Sequence, residues 1–195
     1  MAHLDADDVA LTGGAAIELH LAAAGRPARR AVVGDLDFLA RCLKAIPPSV
    51  ARDFLVSHYH RARPGVPKAM IQLVDPTTRM RIDIFSDSAG VIPRAQRTTI
   101  EGTVLNVLDA RSIFDHKVQM LRTASPSHPV DSKHWDDAVA LAELCGLEPP
   151  PAPTSAVRTV YCTDVNLTCP RCELSRTLDF PLAPKSDIFA LLGYV

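Results

Sequence analysis

The stretch Ala31-Val32-Val33-Gly34-Asp35-Leu36-Asp37-Phe38-Leu39 decides how this chain is read. Its apolar and β-branched residues predict a strand with two aspartates two positions apart. Successive side chains of a strand alternate between faces, so Asp35 and Asp37 share one face, roughly 6–7 Å apart along the backbone. Leu36 and Phe38 turn the other way, into apolar packing. Two carboxylates on one face repel each other unless a cation neutralises them. Mg²⁺ suits such a pair, because it takes oxygen ligands and commonly uses one or two carboxylates plus phosphate oxygens. Spacing alone decides little: with 17 Asp in the chain, chance predicts roughly 1.5 Asp-x-Asp pairs, and two occur. The other, Asp5-x-Asp7, lies in a polar N-terminal segment with no strand around it.

Working outward, Ala69 to Val74 and Met80 to Phe85 are β-patterned and flank Asp75-Pro76-Thr77-Thr78, which has turn chemistry. They predict an antiparallel hairpin. Within its second arm, Arg81-Ile82-Asp83-Ile84-Phe85 places a carboxylate between apolar neighbours, where an unpaired acid is costly to bury. Asp83 either completes a cation site with the first pair, faces solvent, or pairs with an arginine. Val9 to Ala24 is apolar almost all round, and reads as a buried helix with Gly13-Gly14 near its start and Gly25 as C-cap. Pro47-Pro48 opens a helix expected to run to about His58. Val104 to Leu108 is a short strand, and Ala110 to Arg122 and Asp131 to Cys145 are amphipathic helices. Strands come early and helices late. The pattern predicts an α+β fold: a small mixed or antiparallel sheet flanked by helices, then a helical pair and a Cys-rich tail.

Composition sets the outer limits. At 195 residues, 47% hydrophobic and 22% charged, the chain is an ordinary globular protein with room for a core. The net charge of −1 excludes a generally polybasic nucleic-acid binder, though not a local basic patch. There is no run of 18 apolar residues, so no membrane span is expected, and the acidic N-terminus has no signal-like basic region. The expected compartment is the cytosol. Pro149 to Pro153 favours an extended linker, which divides the chain into a domain at 1–147, a linker at 148–155 and a tail at 156–195.

A Gly pair leading into a helix lets the backbone approach a phosphate, and the helix N-terminus favours an anion. Gly13-Gly14-Ala15-Ala16, then a helix, then Asp35-Leu36-Asp37-Phe38, then Asp83 in a later strand resembles the DNA polymerase beta-type nucleotidyltransferase superfamily. The small bacterial nucleotidyltransferases that include the abortive-infection-type toxins are the nearest likeness. Phe114-Asp115-His116-Lys117 and Lys133-His134-Trp135-Asp136-Asp137 extend it, and it covers roughly residues 9–145. The resemblance implies an enzyme in which Asp35 and Asp37 hold the Mg²⁺ of an NTP. Asp83 would join a second ion or take the acceptor's proton. Gly13 and Gly14 would offer N–H groups to the phosphates, and Lys117 would neutralise the triphosphate. The acceptor would be RNA, a protein hydroxyl or a small molecule. Ala15 stands where such proteins carry Thr or Ser, and Val33-Gly34 where a Ser or Thr often precedes the acidic pair. A catalytically silent nucleotidyltransferase-like binding domain is therefore the second reading. Away from the resemblance, Lys117 reads as a solvated helix residue, Lys133, Asp136 and Asp137 as a capped surface helix, and His20 as a hydrogen-bonded core or rim residue.

The tail holds Cys162, Cys169 and Cys172, the last two in a Cys-x-x-Cys knuckle of the kind that supplies half of a structural Zn²⁺ site. A fourth ligand would come from Cys145, His134, Asp164 or another subunit, which leaves room for a homo-oligomer. A metal staple would explain how so short a tail orders. A zinc-stabilised nucleic-acid-binding module is the third reading, disfavoured by near-neutral charge and 5% aromatic residues.

Overall fold

The computed structural model describes residues 7–29, 35–47, 49–64, 68–100, 102–123, 133–152 and 174–175. In chain order these form β1 (Val9–Thr12), α1 (Gly13–Ala23), β2 (Asp35–Ala40), α2 (Val50–Asp53), β3 (Leu55–His60), β4 (Met70–Val74) and β5 (Arg81–Ser86). They continue with β6 (Gln96–Ile100), β7 (Thr103–Val107), α3 (Ala110–Arg122), α4 (Lys133–Cys145) and β8 (Leu174–Ser175). One mixed sheet holds all these strands in the order β6-β7-β1-β2-β5-β4-β3-β8. The α+β class expected from sequence is present, and the sheet is larger than the small one anticipated.

Two expected helices are corrected. Val9 to Thr12 is a strand, pairing antiparallel with β2 and parallel with β7, and α1 begins only at Gly13. An apolar run hides this, because a strand buried on both faces shows no alternation. Gly13, at φ +66°, makes the left-handed break between strand and helix. The helix expected from Pro47 to His58 is only the four residues of α2, followed by β3. Leu55, Val56 and Tyr59 are good strand residues, and pairing with β4 on one side and β8 on the other overrides local helix propensity. The polar strand β6, which the sequence reading leaves unassigned, covers one edge of the sheet next to β7.

Elsewhere local chemistry matches the elements. Asp75 Oδ1 accepts from the Thr77 N–H at 2.8 Å inside the turn that joins β4 to β5. A Schellman cap closes α1: the Gly25 N–H donates to Ala22 O and the Arg26 N–H to Leu21 O, both at 2.9 Å, with Gly25 at φ +69°. Asp109 caps α3, accepting from the Ser112 N–H at 2.9 Å. On α4 the buried residues His134, Asp137, Ala138, Leu141 and Ala142 follow the i, i+3, i+4 spacing of a core-facing stripe. Ile17, Phe38, Ile84, Ile113 and Leu141 belong to one core joining α1, the central strands, α3 and α4. No described helix is long and apolar enough to cross a membrane.

Candidate functional site

Strand pairing brings the sequence-predicted carboxylates together. In the parallel pair β2–β5, Asp37 is in register with Asp83 and Asp35 with Arg81. Cross-strand partners share a face, so Asp35, Asp37, Arg81 and Asp83 form a two-by-two patch on one side of the sheet. The row of Asp37 continues in both directions. Thr12 is its partner on β1, Gln72 of β4 is the partner of Asp83, and His58 of β3 is the partner of Gln72. A polar row therefore crosses five strands, with Asp83, Gln72 and His58 all buried.

Each carboxylate is held differently. Asp35 is in close ion pair with the Arg81 guanidinium, whose Nε also lies 3.3 Å from Asp83 Oδ2. The other oxygen of Asp83 accepts from Gln72 Nε2 at 2.8 Å. Asp37 packs against the Gly13 turn so tightly that a Cβ on Gly13 would overlap its carboxylate. Burial, followed by repulsion from Asp83, pushes Asp37 up to about 7, against the pull of Lys117 and Lys133. Burial also raises Asp83, opposed by Arg81, the Gln72 amide and Lys133. The two acids stand in register on neighbouring strands, so their mutual repulsion adds to the cost of burying them. Oxygen donors in that condition fit a hard divalent cation.

Behind the patch lies a buried ionic network. Lys117 Nζ is 2.9 Å from Asp137 Oδ2 and 2.9 Å from His134 Nδ1. Lysine only donates, so His134 accepts through Nδ1. Arg29 reaches Asp137 Oδ1 at 2.9 Å and the Asp136 carbonyl at 2.8 Å, and its backbone N–H donates to Glu18 Oε2 at 3.0 Å. The network ties α1, α3, α4 and the segment after α1 together with charges in balance.

Solved structures of partly similar shape include an antigenic nucleotidyltransferase-like protein from Paracoccidioides brasiliensis, 20% identical, covering 70% of this chain and 68% of that one, at a TM-score of 0.39. Megavirus polyadenylate synthase is 14% identical over 72% of this chain and 29% of that one, at a TM-score of 0.48. The antibiotic-resistance factor ANT(2'')-Ia is 14% identical over 71% of this chain and 75% of that one, at a TM-score of 0.47. No family model and no curated protein matches the chain.

The residues singled out from sequence fall into place as follows. Gly13 abuts Asp37, and Gly14 follows it in the first turn of α1. Lys117 is not on a solvated helix face. It is 6% exposed and already paired with Asp137. Asp137 is likewise buried rather than on a capped surface helix. The exposed cation acting on both Asp37 and Asp83 is Lys133, at the first turn of α4. His20 holds the Leu108 carbonyl through Nε2 at 2.7 Å, as a hydrogen-bonded rim histidine should. Of the proposed fourth zinc ligands, His134 is committed to Lys117. Cys162, Asp164, Cys169 and Cys172 lie outside the described residues. Among the described residues, no group of three or more His, Cys, Asp and Glu side chains is arranged to hold a metal ion.

Sequence reasoning missed Gln72, Ser57 and Glu18. A signal for two of them was present: Gln72 interrupts Met70-Ile71-Gln72-Leu73-Val74, and Glu18 interrupts Ala15-Ala16-Ile17-Glu18-Leu19. A polar side chain in an otherwise apolar element must find a partner inside.

Proposed function

We propose that the chain is a Mg²⁺-dependent nucleotidyltransferase, moving a nucleoside monophosphate from an NTP to an acceptor hydroxyl with release of pyrophosphate. The observation that carries this reading is the Asp37–Asp83 pair lodged against a glycine turn that opens a helix. The carboxylates supply oxygen ligands for a divalent ion, and the Gly13-Gly14 backbone lies beside them where phosphates would approach. Mg²⁺, when bound, would neutralise triphosphate charge and stabilise the attacking and leaving oxygens. Asp35 would join the ligand set only by giving up its pair with Arg81. Asp83 would complete the ion's site or take the acceptor's proton. Lys133, exposed at the start of α4 and acting on both carboxylates, is the candidate cation for the triphosphate. The acceptor within this reading is RNA, a protein hydroxyl or a small molecule.

The test is pyrophosphate release from each NTP, with Mg²⁺, in wild type and Asp37→Asn. Release that vanishes in the variant supports the enzyme. NTP binding without release would replace it with the silent-domain reading, which the Ala15 and Val33-Gly34 positions favour.

A further inference from the structure

The carboxylate pair is served by a second layer of groups that the proposed chemistry does not use. Ser57 Oγ lies 2.6 Å from Gln72 Oε1, and Gln72 Nε2 lies 2.8 Å from Asp83 Oδ1. Ser57 and Gln72 are fully buried and Asp83 nearly so. The direction of this chain of bonds is fixed by chemistry. The amide presents its NH₂ to Asp83, whose Oδ1 accepts. Its carbonyl then faces Ser57, and only the hydroxyl can supply that proton. The Ser57 hydroxyl satisfies the amide carbonyl in this orientation, and a flip would aim that carbonyl at the Asp83 carboxylate, oxygen at oxygen.

Asp83 is held from opposite sides, by the Gln72 amide donating to Oδ1 and by the Arg81 guanidinium in ion-pair range of Oδ2. Rotation of the carboxylate about its Cβ–Cγ bond would break both. Asp83 is thereby fixed in the row that aligns it with Asp37. We propose that Gln72, oriented by Ser57, is a positioning residue: it sets the angle of the Asp83 carboxylate so that the Asp37–Asp83 pair receives a divalent cation without rearranging. This rests on the reading of that pair as a cation site. Gln72 touches neither ion nor substrate and acts only through Asp83. Replacing partners of this kind around metal ligands costs roughly 10–100-fold in affinity.

The probe is Mn²⁺ alone, titrated calorimetrically into the full chain. Gln72→Met keeps the length of the side chain and removes the donor, and is expected to weaken Mn²⁺ binding by roughly tenfold. Ser57→Ala removes the partner of the Gln72 carbonyl and is expected to weaken Mn²⁺ binding by a smaller factor. It also carries the test if Gln72→Met does not fold. Leu73→Val loosens the same strand from its opposite face and should leave Mn²⁺ affinity unchanged, which separates positioning from general softening. Wild-type affinity in Gln72→Met and Ser57→Ala, with binding lost in Asp83→Asn, overturns the proposal and leaves the cation site standing. Wild-type affinity in Asp37→Asn and Asp83→Asn overturns the site itself, and the positioning role with it.

Discussion

Replacing Asp37 by asparagine should make the protein more stable at neutral and alkaline pH, the opposite of what removing a charged side chain beside two lysines would suggest. Asp37 is held at about 7 in the folded chain against an ordinary 3.8. Below the lower value both folded and unfolded chains carry the proton, and the group adds nothing. Between the two values the native state keeps a proton that the unfolded chain has lost, so stability falls as pH rises. Above about 7 the full cost is present, on the order of 4 kcal/mol if the whole difference is counted. Asp37 is only half-buried, and water at its open side reduces this to on the order of 2 kcal/mol. Asparagine is neutral throughout and avoids the cost. Asp83 is raised by burial too and repels Asp37, so the pair, and not one residue, sets the shape of the titration. Urea unfolding of wild type and Asp37→Asn from pH 4 to 8 should give curves that coincide at the acid end and separate steadily, with the variant above. Saturating Mg²⁺ at pH 8 should close the gap by stabilising wild type alone. A gap that is independent of pH, or wild type the more stable at pH 8, would refute the reasoning.

Gly13→Ala places a side chain at φ +66° and into the Asp37 carboxylate. The left-handed backbone alone costs about 1–2 kcal/mol, so a fall in thermal midpoint together with loss of Mn²⁺ binding is expected. Asp137→Ala strips the carboxylate from Lys117 and leaves Arg29 only Glu18 as an acidic partner among the described residues, at a site where the Lys117 and Asp137 side chains are 8% and 1% exposed. Leaving a buried charge unpaired should cost about 3–5 kcal/mol, read by chemical denaturation. Lys117→Met with Asp137→Leu should recover part of that. Asp109→Ala removes the α3 cap and should cost about 1 kcal/mol in the same measurement, without affecting Mn²⁺ binding.

Period-two spacing was enough to put Asp35 and Asp37 on one face, and the Asp75 turn was enough to fold Asp83 back beside an apolar strand. What no local pattern shows is which strands become neighbours. That Asp83 stands opposite Asp37 depends on β5 pairing parallel with β2, a long-range event. The arginine partner weighed for Asp83 is Arg81, which serves Asp35 as well. The bounds of α3 were legible because its apolar stripe begins right after a capping aspartate. β1 and β3 were not, because one is apolar on both faces and the other follows a proline pair that reads as a helix start. The burial of Lys117 was hidden for a further reason. Its partners Asp137 and His134 lie on the next helix, and Arg29 follows α1. A lysine on an amphipathic helix reveals nothing of a counter-ion contributed by another element.

The central claim is that Asp37 and Asp83 form a cation-dependent nucleotide site. It is tested most directly by thermal unfolding with each of the four NTPs, with and without Mg²⁺, in wild type and Asp37→Asn. A nucleotide at 100 times its Kd adds roughly 2.7 kcal/mol to the folded state, a clear rise in Tm. The account predicts a rise for at least one NTP that requires Mg²⁺ and disappears in the variant. No rise for any of the four, or one that survives in Asp37→Asn, would contradict it.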